Sequence, residues 1–215
     1  MKATHARRAA VALSAALILP LVLTACSGES DTSASGTSGN PAKTSAAPSS
    51  AAPVNTDKPF GPACASVPKS GAGSFTGMAQ DPVATAASNN PALSTLVTAV
   101  KKAGLVDTLN SAQNITVFAP TNDAFAKVPK ADLEKLLADK DALTKVLTYH
   151  VVGRKLTPEQ LAKGSFETLE KDELTTAGSG AAYTVNGTSG VVCGNVPTAN
   201  ATVYVVDTVL MPPAA

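Results

Sequence analysis

Thr116-Val117-Phe118-Ala119-Pro120-Thr121-Asn122-Asp123-Ala124-Phe125 is the stretch on which the fold turns. Its first residues are β-branched, aromatic or small, and they run into Pro120, which has no amide hydrogen to give a sheet and so stops the strand. Thr121 or Asn122 then offers a side-chain oxygen to the unpaired amides of a short helix, which buries Phe125 and ends at Pro129. A strand, a stop, a cap and a helix in so few residues predict a tight strand-to-helix corner.

Helical spacing continues on both sides. Pro91 opens a segment with Leu93, Leu96, Val97 and Val100 on one face and Gly104 as its stop. Leu133, Leu136 and Leu137 repeat the spacing downstream, and Leu143, Val146 and Leu147 do so again. Thr157-Pro158-Glu159-Gln160 is a capping box with proline in the first turn, and Gly164 is expected to end that helix. Residues 166–169, 183–185, 190–193 and 202–206 are short β-branched or aromatic runs instead, and Asn186-Gly187 between two of them signals a hairpin. Helices first and strands later, with the strand at 115–119 as the exception, predict an α+β fold rather than alternating βαβ units. No internal repeat is visible.

The length of 215 residues suits one domain with accessory segments. Residues 1–8 are basic and residues 9–23 are apolar apart from Ser14, the layout of a secretory signal peptide. Leu23-Thr24-Ala25-Cys26 resembles a bacterial lipobox, in which the cysteine thiol is acylated and becomes the new N-terminus. Residues 1–25 are thus expected to be cleaved, and Cys26 to bind the bilayer through acyl chains at about 0.8 kcal/mol per buried methylene. Of the 32 residues in 27–58, 24 are Ser, Thr, Ala, Gly or Pro, too little apolar surface to offset ordering entropy. A flexible stalk is expected, with residues 26–71 assigned to the lipidated cysteine and stalk and residues 72–215 to the domain. With Cys26 acylated, Cys64 and Cys193 remain as an intramolecular pair for an oxidising compartment, a free thiol being the competing reading.

Three features together carry a family resemblance. The stretch from Thr116 to Phe125 resembles the first signature of the fasciclin domain family, with Thr121, Asn122, Asp123 and Phe125 in motif positions. Tyr149-His150 looks like the family's Tyr-His pair after a helix. Residues 203–212 are similar to its closing strand, with Asp207, Val209, Leu210 and Pro212 in order, although Tyr204 stands where many members have histidine. The resemblance covers about residues 72–212, and with the lipobox and stalk it points to the single-domain fasciclin lipoproteins of actinobacterial surfaces, including secreted mycobacterial immunogens. It implies a wedge of short strands and several helices, and adhesion to extracellular proteins or glycans without catalysis.

Composition and motifs exclude much else. Removing residues 1–25 takes Lys+Arg from 17 to 14 against 16 acids, so the chain lacks the basic surplus of a nucleic-acid binder. Trp is absent and aromatics are 4%, which argues against base stacking. After the signal segment His150 is the only imidazole, and neither a Gly-x-Ser-x-Gly elbow nor a phosphate-cradling glycine loop occurs. Ser66-Val67-Pro68-Lys69 matches Ser-x-x-Lys without the companion motifs. One histidine and a bonded cysteine pair make no zinc site, and Glu170, Asp172 and Glu173 lack calcium-loop spacing and read as a solvated turn. No cofactor or metal is therefore expected. His150 reads as a packed histidine bonded to backbone, whereas the resemblance offers it, with Tyr149, a place in a protein-binding surface. A small-molecule or lipid carrier at the outer membrane face is the alternative function: an apolar cavity would favour it, a broad exposed patch adhesion.

Overall fold

Thr121 Oγ1 accepts the Ala124 amide at 3.1 Å, so the corner after Pro120 forms as the sequence predicts. The computed structural model describes residues 58–213; the signal segment, Cys26 and the stalk through residue 57 lie outside them. Helices α1 (Phe75–Met78), α2 (Val83–Ser88), α3 (Ser94–Ala103) and α4 (Val106–Ser111) come first. Strand β1 (Ile115–Pro120) leads into α5 (Asn122–Ala126), α6 (Lys130–Ala138) and α7 (Lys140–Tyr149), then β2 (Val151–Val152) and α8 (Pro158–Leu161). The chain finishes with β3 (Lys163–Glu167), β4 (Glu173–Ser179), β5 (Ala182–Val185), β6 (Ser189–Pro197) and β7 (Ala201–Val206).

The strands form one sheet in the order β2-β1-β7-β6-β5-β4-β3. β1 and β7 run parallel, Ile115 beside Ala201 and Pro120 beside Val206, and every other pairing is antiparallel. The two ends of the sheet meet where Val152 bridges Thr168 and the Leu169 amide donates to the Val151 carbonyl at 2.8 Å. The sheet therefore curls on itself. Because successive strand residues face opposite sides, Ile115, Val117, Ala119, Ala201, Val203 and Val205 pack under the helices with Leu96, Phe125, Leu143 and Leu147. Phe118, Tyr204 and Val206 point into the curl, where they meet Tyr149, Leu156, Leu174 and Tyr183. Two cores thus share β1 and β7.

Residues 60–71, assigned to the stalk by the boundary drawn at residue 72, belong to the folded unit. Phe60 pairs through both backbone groups with Gly194, is 8% exposed, and closes the curl with its ring 5.3 Å from that of Tyr183. A Cβ at Gly194 would run into that ring, which makes glycine necessary there. Four residues on, Cys64 is bonded to Cys193 of β6, which joins positions 129 apart in sequence. In the chain-entropy picture a loop of that length gives up to about 5 kcal/mol.

Some local readings also change. Gly164 does not end a helix, because α8 has already stopped at Leu161 and Gly164 pairs with Thr176 in β3. Glu173 is not part of a turn but opens β4, while the turn before it is held by the Thr168 hydroxyl and amide, both donating to the Asp172 carbonyl. Asn186-Gly187 does make the β5–β6 turn, with φ of 51° and 68°.

A single buried amide pins the early helices. Asn200 Oδ1 accepts the Val83 amide at 2.8 Å, capping α2 from outside, while its Nδ2 donates to the Leu109 and Ala112 carbonyls at 2.7 Å each, closing α4. Asn200→Ala should strip all three backbone groups of their partner and cost about 2–4 kcal/mol, read as a lower urea midpoint at unchanged slope. Thr176 offers the opposite case, since its buried Oγ1 has no partner in the curled core. Thr176→Val should stabilise by about 1 kcal/mol in the same assay.

Candidate functional site

The three signature motifs, remote in sequence, meet around the β1–β7 pair. Phe118 donates its amide to the His150 carbonyl at 2.8 Å, and the Thr121 amide donates to the Val206 carbonyl at 3.1 Å. Leu210 donates its amide to His150 Nε2 at 3.0 Å. The motifs are the joints of the fold.

His150 caps the C-terminus of α7 and is 2% exposed. Since Nε2 accepts from Leu210, the proton sits on Nδ1, which donates to the Val146 carbonyl at 2.7 Å. Both nitrogens are committed to backbone, which bears out the packed reading and leaves no lone pair for a base. Burial lowers its pKa to about 4, although the Val146 carbonyl pulls the other way. Tyr149, also 2% exposed, donates its hydroxyl to the Glu173 carbonyl at 3.0 Å and accepts from Asn186 Nδ2 at 2.8 Å. The protein-binding surface expected at Tyr149 and His150 is therefore corrected: both rings lie in the interior, spent on tying α7 to its neighbours.

The remaining motif residues are structural in the same sense. Asn122 Oδ1 accepts from the Thr95 amide at 2.9 Å and Nδ2 donates to the Pro91 carbonyl at 2.9 Å, fastening the start of α3 to the corner that Thr121 caps. Phe125 is buried under the helices. Asp123 stays exposed in the first turn of α5, where a carboxylate suits the helix dipole. Burial would raise the Asp207 pKa, but it is held below the ordinary value by the Gly190 amide at 2.8 Å, the Thr208 hydroxyl at 3.0 Å and Lys127 at 3.2 Å. Tyr204, at the position often held by histidine, is fully buried, stacks on Phe118 and donates to the Leu156 carbonyl at 2.9 Å.

Sequence reasoning missed Asn200 altogether and gave Asn186 only a turn. Asn186 also accepts the Thr175 amide at 2.9 Å while holding Tyr149, and no local signal announces that. It also did not locate an apolar pocket of about 140 Å³ between α2, α3, α4 and the helix-facing side of β1, the kind of feature expected to favour the small-molecule carrier alternative. Ala84, Ala87, Val97, Val100, Leu147 and the His150 ring contribute to its walls, and Thr85, Ser88 and Lys101 lie at its exposed mouth. Among the described residues no group of three His, Cys, Asp or Glu side chains could hold a metal ion, and no helix is long and apolar enough to cross a membrane.

The depressed histidine pKa makes stability pH-dependent. Unfolded, His150 titrates near 6.5, so between pH 6.5 and about 4 the unfolded chain binds the extra proton. Stability should be complete above that window and fall by roughly 3 kcal/mol as pH drops through it. Asp207 adds its loss only below its ordinary 3.8. Urea midpoints from pH 7 to 4 should show the fall, and His150→Gln should flatten it.

Comparison with known proteins agrees with this architecture. The family model of the fasciclin domain matches residues 91–212, more than half of the chain. The cell surface glycolipoprotein MPT83 of Mycobacterium tuberculosis is 52% identical over 149 residues, covering 67% of this chain and 66% of the relative, just under two thirds of that protein's length. The immunogenic protein MPT70 of the same organism is 49% identical over 162 residues, covering 72% of this chain and 82% of MPT70. In fold, the chain is similar to a FAS1 domain pair from the insect cell adhesion molecule Fasciclin I, with a TM-score of 0.51 at 20% identity, over 63% of this chain and 52% of that one. Sequence, motifs and fold agree: the chain belongs to the fasciclin domain family.

Proposed function

We propose that the protein is a non-enzymatic surface lipoprotein, held to the bilayer through acylated Cys26, whose fasciclin domain binds an extracellular protein or glycan. The observation that carries this reading is that the signature side chains other than Asp123 are engaged or buried inside the fold. His150 has no free nitrogen for general base work, and a hydrolase needs a nucleophile, a base and a charge stabiliser together. What the domain offers a partner is its outer surface on a rigid scaffold.

Anchoring and export are supported by the lipobox at Leu23-Thr24-Ala25-Cys26 and by relatives named as a cell surface glycolipoprotein and an immunogenic protein. The disulfide fits the oxidising side of the membrane. Leu169 and Met211 are the only large apolar side chains strongly exposed among the described residues, so the contact face would be mostly polar. Weak polar contacts become effective when many copies share one surface.

The test displays the whole chain, with Cys26→Ser, at high density on beads and offers matrix proteins, glycans and phospholipid vesicles, with the reduced, unfolded chain as control. Saturable, fold-dependent capture of a protein or glycan is expected. Capture that persists after unfolding, or capture of vesicles alone, would overturn the reading.

A further inference from the structure

We propose that the pocket between α2, α3 and β1 binds a small amphiphile: an apolar body the size of one aromatic ring or a short acyl chain, with one anionic head held at Lys101. The inference does not depend on the adhesion reading. It starts from the composition of α2, where Ala84 and Ala87 face larger side chains and leave the helix standing off from Val97 and Val100 of α3. Well-packed interiors hold few voids larger than a water molecule. This one, open to solvent at its mouth, has room for about 140 Å³, close to the roughly 150 Å³ of an engineered apolar cavity that takes up benzene.

The walls decide the chemistry of the occupant. The polar ring in the floor is His150, and both its nitrogens are spent on the Val146 carbonyl and the Leu210 amide. A ligand's polar atoms would find no partner at that depth and would carry the cost of an unpaired buried group. Hydrocarbon must therefore go in first, with the polar group left at the mouth among Thr85, Ser88 and Lys101. Lys101 is the charged side chain in the lining, and it enters neither of the two ion pairs among the described residues. An anionic head meets it there, and the small volume limits the body to roughly six to eight carbons, by comparison with benzene in its cavity.

The experiment titrates the whole chain, carrying Cys26→Ser so that no acyl group is attached, with benzoate and hexanoate, and separately with benzyl alcohol and 1-hexanol. Amide shifts of α2 and α3 are followed by NMR. Saturable carboxylate binding is expected, with shifts at Ala84, Ala87 and Val97 and the alcohols bound about threefold more weakly, the scale of one solvent-exposed ion contact. Lys101→Met should cost the carboxylates the same factor and leave the alcohols unchanged, while Ala87→Leu should fill the void and abolish binding of both. Shifts that never saturate, alcohols that bind as tightly as carboxylates, or carboxylate binding intact in Lys101→Met would each overturn the proposal. Lys101 is exposed, so its variant keeps the test decisive even if Ala87→Leu does not fold.

Discussion

Ile115 beside Ala201 and Pro120 beside Val206 form the parallel pairing on which everything else rests. It joins a strand from the helical part of the chain to its final strand, so neither core can close before distant segments meet. Strands in parallel pairs are usually buried on both faces, and here the alternation of side chains hands each strand one set of residues for the helices and another for the curled sheet. A change of register by one residue would exchange the two sets and empty both cores. The signature motifs cluster where that register has to be held: Thr121 at the end of β1, Asp207 at the end of β7, and His150 bonded to both sides.

This explains why the family signature is informative about fold and quiet about chemistry. A buried histidine with a displaced pKa in a protein of uncertain role invites a catalytic reading, and displaced values do gather at active sites. In His150 the displacement follows from burial, and the ring is a two-pronged backbone clamp. Tyr149 and Asn122 work likewise, satisfying carbonyls and amides that the irregular joints of a short-stranded fold would leave orphaned.

The parts legible in the sequence were those whose cause is local. β1 with its proline stop, the Thr121 cap, α3 with left-handed Gly104 behind it, and the Asn186-Gly187 turn each carry their reason within a few residues. What could not be read depends on partners far along the chain. β4 is a strand although Glu173-Leu174-Thr175-Thr176-Ala177 looks polar, because one of its faces stays in water while Leu174 and Thr176 enter the curl. Helices α1, α2 and α4 are only four to six residues long, too short for a helical period to show, and α2 and α4 are tied by Asn200 from the other end of the domain. Phe60 and Cys64 lie before the boundary drawn at residue 72, and although the Cys64–Cys193 pair was legible, the pairing of Phe60 with Gly194 that brings this stretch into the domain was not. In the functional site, the residues of the signature were readable, as was the packing of Phe125 and His150, but the burial of Tyr149 and Tyr204 depends on the curled sheet and was not.

The disulfide gives the molecule a mechanical grain. A pull applied to the chain ahead of Phe60 reaches Cys64 four residues later and crosses the covalent bond straight into β6. The residues enclosed between Cys64 and Cys193, which include helices α1 to α8, lie off that line of force. Under tension the domain can give up only the short strap before Cys64 and the chain after Cys193, so most of its contour length is held in reserve behind a bond that shear alone does not open.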